Sequence, residues 1–227
     1  MVSMVRSPKR WMKLGLRMNK DNLIIKLLTL LLIVMGFGSQ AQGKDSVYVK
    51  TSIFEVSYNE NLEGPNWVKY HATNRPTNVN RGHMNFYKEK EIHTSDNNDY
   101  VKNVWDKGHM APAALFSDNM ENLKQTFSYL NCSLQNQYLN RGAWRFLESE
   151  IRKWDDSENL TIVIIPIYGN GYEVLPTGGS VPTSYHKHIK WDVSGKKECY
   201  FFPNVRPDKG WEEYINKNCS LIEQKLR

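Results

Sequence analysis

The octapeptide DKGHMAPA, residues 106–113, has a near-copy upstream in NRGHMNFY, residues 80–87. Each sets a basic residue, a glycine, a histidine and a methionine in a row. An imidazole titrates near neutral pH, so a histidine placed beside a cation is a candidate for proton transfer. Which of His83 and His109 belongs to a site depends on what surrounds each.

Downstream of the second octapeptide, the spacing predicts a helix from about Leu139 to Trp154. At about 100° per residue, Asn140 falls among Trp144, Leu147, Ile151 and Trp154, in the middle of the apolar face. Arg141 and Arg145 point outward, and Glu148 lies at the edge of the buried stripe. An amide aimed inward is costly unless it is paired, and its carbonyl oxygen is a hard ligand suited to Mg²⁺ or Ca²⁺. A helix-capping or purely structural role for Asn140 is the alternative on these residues alone.

A shorter helix is expected in SDNMENLKQTFSYLN, residues 117–131, where Asp118 and Glu121 have capping-box spacing and Met120, Leu123, Phe127 and Leu130 recur at helical intervals. Strands are expected in SIFEVSYN, NWVKYHAT, LTIVIIPIYG, HIKWDV and CYFFPN. The continuously apolar third of these should be buried on both faces. Strands and helices mixed without strict alternation predict an α+β fold with a largely antiparallel central sheet.

The 227 residues suffice for one substantial core. The first 41 stand apart: a basic segment is followed by LLTLLLIVMGF and then by GSQAQG. That order predicts an export signal cleaved after Ala41, with residues 42–227 as the mature domain, secreted or periplasmic and without stable membrane association. An uncleaved anchor is the alternative. The leader holds seven of the 30 Lys and Arg and one of the 24 Asp and Glu, which leaves 23 of each. The formal charge of +6 therefore belongs to the leader, and global basicity gives no argument for a polyanionic partner.

At this point the motifs, taken together, resemble the DNA/RNA non-specific endonucleases of the ββα-metal (His-Me finger) superfamily. That family carries Asp-Arg-Gly-His, then Asn-x-x-Pro-Gln, then Asn-x-x-x-Trp-x-x-Leu-Glu. This chain has Asp106-Lys107-Gly108-His109, then Asn131-Cys132-Ser133-Leu134-Gln135, then Asn140 with Trp144, Leu147 and Glu148. PNWVKYH, NNDYVKNVWDKGH, VPTSYHKHI and FFPN extend the resemblance along most of the mature chain. Lys107 in place of arginine keeps the charge and loses the two-pronged donor. Leu134 in place of proline alters a turn.

The resemblance implies a ββα-metal active-site motif and metal-dependent phosphodiester hydrolysis of DNA, RNA or both. It implies His109 as general base, Asn140 as the direct protein ligand of one Mg²⁺ (or Mn²⁺ or another divalent cation), and Glu148 as the holder of metal-bound waters. Asn131 would orient the site, and Arg81 and Lys107 would bind phosphate oxygens. Within NRGHMNFY the working residue is then Arg81, a few positions before Phe86, and His83 is an ordinary loop histidine. Asp106 reads as a residue that orients its neighbours. Of the three cysteines, Cys199 and Cys219 are the expected bridge, because Cys132 falls in a segment lining the implied site; three free thiols is the alternative. A catalytically weak nucleic-acid-binding relative is the other functional reading. A zinc hydrolase lacks support, since no His-x-x-x-His pair occurs among the six histidines. The sequence predicts no oligomeric state.

Overall fold

The computed structural model describes residues 43–216 and Cys219; the leader expected over residues 1–41 lies outside them. In chain order the strands are Val47–Lys50 (β1), Phe54–Asn59 (β2), Gly64–Ala72 (β3), Trp105–His109 (β4), Cys132–Asn136 (β5), Leu160–Ile167 (β6), Ser184–Trp191 (β7) and Lys197–Pro203 (β8). Six of them pair antiparallel in the order β1-β2-β3-β6-β7-β8, and β4 pairs with β5 in a separate ribbon. The sheet is thus antiparallel throughout its described pairs. All five expected strands are present, and β6 is buried on both faces as its unbroken apolar run requires.

The expected helix in residues 117–131 is shorter than its periodicity suggested. It spans Met120–Gln125 (α1), and Asn119 caps it by accepting from the Asn122 backbone N–H. Asp118, the expected cap, instead accepts from Arg75 Nη1 at 3.1 Å and from Asn122 Nδ2 at 2.9 Å. Phe127 and Leu130 are buried all the same, in the turns that lead into β5.

The second helix, Arg145–Trp154 (α2), is entered through a short helical turn, Gln137–Leu139, and a wide π-type turn, Asn140–Trp144. Gly142 leaves helical geometry altogether (φ −106°, ψ −117°). A π-turn takes up an extra residue and resets the phase of everything before it. The expectation that Asn140 lies amid the apolar face is therefore corrected. Leu139, Ala143, Trp144, Leu147 and Ile151 are the buried residues, while Asn140 is only half-buried and turns toward β4.

Trp144, Leu147 and Ile151 belong to one hydrophobic cluster with Val56, Val68, Tyr70, Ile162, Ile164, Tyr185 and Phe202. Trp144 meets Tyr185 and Phe202 at ring separations of 5.4 and 5.6 Å. This packing fixes α2 on the sheet and, with it, the residues at its N-terminal end. Cys199 and Cys219 form the expected disulfide, and Cys132 is a buried free thiol whose pKa burial pushes up to about 12. Among the described residues no helix is long and apolar enough to cross a membrane.

Candidate active site

The β4–β5 ribbon is short and polar, so neighbours outside it must hold it. Tyr185 Oη donates to the Leu134 carbonyl (3.0 Å) and lies 3.0 Å from Ser133 Oγ. The buried Asn204 donates from Nδ2 to the carbonyls of Leu134 and Pro182 and accepts from the Asn136 N–H. Gly108 is required by close packing, since a Cβ there would lie 2.5 Å from Gln135 Oε1 and 2.6 Å from Gln135 Cβ. Gly108→Ala is expected to cost about 1–3 kcal/mol by overpacking, read as a lowered unfolding midpoint in urea.

Asn131 is fully buried, and its amide is saturated: Oδ1 accepts from the Ala111 N–H at 2.7 Å, and Nδ2 donates to the carbonyls of Ala111 (2.8 Å) and Thr126 (2.9 Å). Its own carbonyl accepts from the Met110 N–H at 3.0 Å. It clamps the chain just past His109 to the start of β5, so it positions the site without an atom left to meet a ligand.

His109 ends β4 with its ring against Phe86 (4.8 Å) and edge-on to Phe127 (5.0 Å). Nε2 is buried and has no hydrogen-bond partner within the chain. Burial first, and then the Arg81 charge, hold its pKa down from 6.5 to about 3. The imidazole is consequently neutral at physiological pH, as a proton acceptor must be. Arg81 itself is exposed, with its guanidinium 5.4 Å over the Phe127 ring. His83 is exposed in the same loop.

The Lys107 ammonium lies in an aromatic box, 5.5 Å from Phe86, 5.6 Å from Tyr100 and 5.5 Å from Tyr129, and donates to Asn97 Oδ1. Tyr129 Oη donates to the same oxygen at 2.8 Å. Phe86 touches both Lys107 and His109, so the structure places a caged cation and the exposed Arg81 around one imidazole.

Asp106, on the same strand, links β4 to α2. Its carboxylate accepts from Asn140 Nδ2 at 2.9 Å and, two-pronged, from Arg141 Nε (2.7 Å) and Nη2 (2.6 Å). A carboxylate can accept only from the NH₂ end of an amide, so this bond fixes which way Asn140 faces and turns Oδ1 away from Asp106. Glu148, about two helical turns further on, has Oε1 buried and without a hydrogen bond. Its charge partners are Lys187, with Nζ at 3.9 Å, and Arg152, one turn along α2. Burial pushes the Glu148 carboxyl up, and both cations oppose that shift.

The structure thus brings Arg81, Lys107 and His109 together around Phe86 and Phe127, and joins Asn140 to their strand through Asp106. Sequence reasoning did not pick out Lys187 or Arg152, although Arg152 stands four residues after Glu148, the helical spacing for a neighbour on the same face.

A chain of the solved EndoG/EndoGI complex, determined to show the mechanism of EndoG inhibition, superposes with a TM-score of 0.70 at 26% identity, covering 78% of this chain and 82% of that one. Mitochondrial nuclease EXOG of Danio rerio is 30% identical over 126 residues, 53% of this chain and 36% of its own length. Nuclease C1 of Cunninghamella echinulata is 27% identical over 186 residues, covering 74% of this chain and 73% of the relative. The nuclease of Serratia marcescens is 27% identical over 166 residues, 67% of this chain and 61% of the relative. The chain therefore spans little more than a third of the Danio rerio nuclease but nearly three quarters of the fungal one. With the family model matching residues 34–223 and the ββα unit of β4, β5 and α2 in place, the chain belongs to the DNA/RNA non-specific endonuclease family.

Proposed function

We propose that this chain hydrolyses phosphodiester bonds of DNA, RNA or both, with little sequence preference and with a divalent cation, Mg²⁺ or Mn²⁺, held at Asn140. The observation that carries the proposal is the Asp106 clamp: one carboxylate on the histidine strand sets the Asn140 amide so that its oxygen is free for a hard cation. The donor set suits such an ion, being an amide oxygen with the Glu148 carboxylate behind it. Held there, the cation would polarise the phosphate and stabilise charge on the leaving oxygen.

The chain's own residues do the rest. His109 takes a proton from water as that water's oxygen attacks phosphorus in line, and the bond from phosphorus to the leaving 3′ oxygen breaks. Arg81 binds a phosphate oxygen, and the caged Lys107 adds positive charge where the transition state gains negative charge. Asn131 keeps His109 in register with β5, and Glu148 accepts hydrogen bonds from waters around the cation. Because these groups address phosphate and not base edges, cleavage should be insensitive to sequence. Export, with residues 1–41 removed and no membrane association kept, suits the Cys199–Cys219 bridge, which persists in oxidising compartments.

The test is a supercoiled plasmid, a single-stranded DNA and an RNA, each incubated with the mature chain in Mg²⁺ or in chelator. Nicking that needs the cation is the expected result. Band retardation without strand breaks in every condition would replace the enzyme reading with a binding protein.

A further inference from the structure

β7 turns one of its two faces toward α2. Tyr185, Lys187, Ile189 and Trp191 are its buried inward set, opposite Pro166, Ile164, Ile162 and Leu160 of β6. Three of these four residues are what a sheet face beneath a helix requires; the fourth is a lysine with no exposed surface.

Its ammonium stands 3.6 Å from the centre of the Trp144 ring and 3.9 Å from Glu148 Oε1, and it makes no hydrogen bond. Trp144 and Glu148 are four residues apart, so they present one face of the helical segment to it. The Tyr70 hydroxyl is likewise buried without a partner, and both Tyr70 and the Trp144 indole are close enough to Glu148 to act on its charge or be affected by it. Burial pushes the ammonium down to about 8, while Glu148 works against that shift.

Stability does not account for this arrangement. A buried ion pair seldom stabilises more than apolar residues of the same volume would, and a pair left at 3.9 Å with unsatisfied atoms around it does so less. Its effect is on the carboxylate. Oε1 is the oxygen turned toward Lys187, which fixes the direction in which the carboxylate faces. A lone buried glutamate would protonate and become a donor.

We propose that Lys187 is a positioning residue: from within the sheet it keeps Glu148 ionised and aimed, and through Glu148 it sets the affinity of the site for a divalent cation. The proposal rests on the nuclease reading for its metal arm and on the Glu148–Lys187 geometry alone for its spectroscopic one. Neither arm requires turnover.

Mn²⁺ affinity is measured by calorimetry, without nucleic acid, on wild type, Lys187→Met, Glu148→Gln and the double variant. Lys187→Met is expected to weaken binding by ~10- to 100-fold, the usual effect of losing a partner behind the ligands. Difference infrared spectra of the metal-free proteins at neutral pH should show a protonated-carboxyl band in Lys187→Met that disappears in the double variant. The double variant lacks both charges and serves if Lys187→Met does not fold; it should bind Mn²⁺ as Glu148→Gln does. Lys187→Met with wild-type Mn²⁺ affinity, or without the acid band, would overturn the proposal. So would a double variant weaker than Glu148→Gln, because Lys187 would then be acting other than through the carboxylate. A wild type that binds no Mn²⁺ removes the metal arm and the nuclease reading, and the infrared band still decides whether Lys187 holds Glu148 ionised.

Discussion

His109→Ala is expected to slow plasmid nicking by roughly 10²- to 10⁴-fold, the contribution of a positioned general base, with Mn²⁺ affinity unchanged. His83→Ala, in the look-alike segment, should nick at the wild-type rate, because its side chain is exposed in a loop where Arg81 is the residue near the imidazole. Rates must be compared on one substrate at fixed salt and Mg²⁺, since polyanion binding is salt-dependent. The pH profile carries the same assignment. With the folded pKa near 3 and an ordinary value of 6.5, the neutral base persists through mild acid, and its loss sets in only as pH falls toward 3. Stability moves with the opposite partner. Below 6.5 the unfolded chain takes up the proton that the folded chain refuses, so unfolding free energy declines as pH drops from 6.5 toward 3. His109→Phe should lose that component of acid sensitivity, seen as a shallower fall of the urea midpoint on acidification. An acid limb of the wild-type stability centred near 6.5 and lost in His109→Phe would contradict the environment described for His109.

Asn140→Ala should abolish Mg²⁺-supported turnover while leaving the fold in place. Its side chain is half-buried and makes a single hydrogen bond, to the Asp106 carboxylate, worth about 1.5–3 kcal/mol in stability. The consequence for the cation is larger, because the oxygen that Asp106 sets is removed and α2, RFLESEIRKW, carries no side-chain amide to replace it. Asp106→Ala should behave as a weaker version, with Asn140 present but free to turn, and a loss of ~10- to 100-fold in Mn²⁺ affinity. Calorimetry with Mn²⁺ and nicking across a Mg²⁺ titration separate the two variants. Wild-type turnover by Asn140→Ala would dismiss Asn140 as the ligand.

Much of the sheet was legible because β2, β3, β6, β7 and β8 carry their instructions locally, as alternation or as an unbroken apolar run. β4 and β5 do not. WDKGH has no strand periodicity and the alternation in CSLQN is only four residues long, and what holds them as strands lies far away, in Tyr185 and Asn204. The helix before the site was legible in its apolar residues and misleading in its phase, since nothing in NRGAW announces a π-turn. The inward placement expected of Asn140 fails with that phase, while its place in the Asn-x-x-x-Trp motif does not depend on it; Asp106 supplies the hydrogen bond that holds it. Lys187 was passed over for a plain cause: a lysine in HIKWDV-like surroundings reads as the solvated side of a strand, and its burial follows from the register of β7 beneath α2.

β8 is the last strand of the sheet, and an outermost strand offers unpaired backbone groups to any passing chain. Here the Asn216 N–H reaches the Cys199 carbonyl, Tyr200 bridges to Ile215, and the Cys199–Cys219 bond anchors the segment that does so. The disulfide accordingly ties down the segment that covers part of this edge. His109 and Asn140 lie elsewhere, on β4 and at the entry to α2. A reductant that opens the bond is therefore expected to loosen the cover over Cys199 and Tyr200 before it disturbs either residue, so loss of solubility should precede loss of nicking when both are followed during reduction.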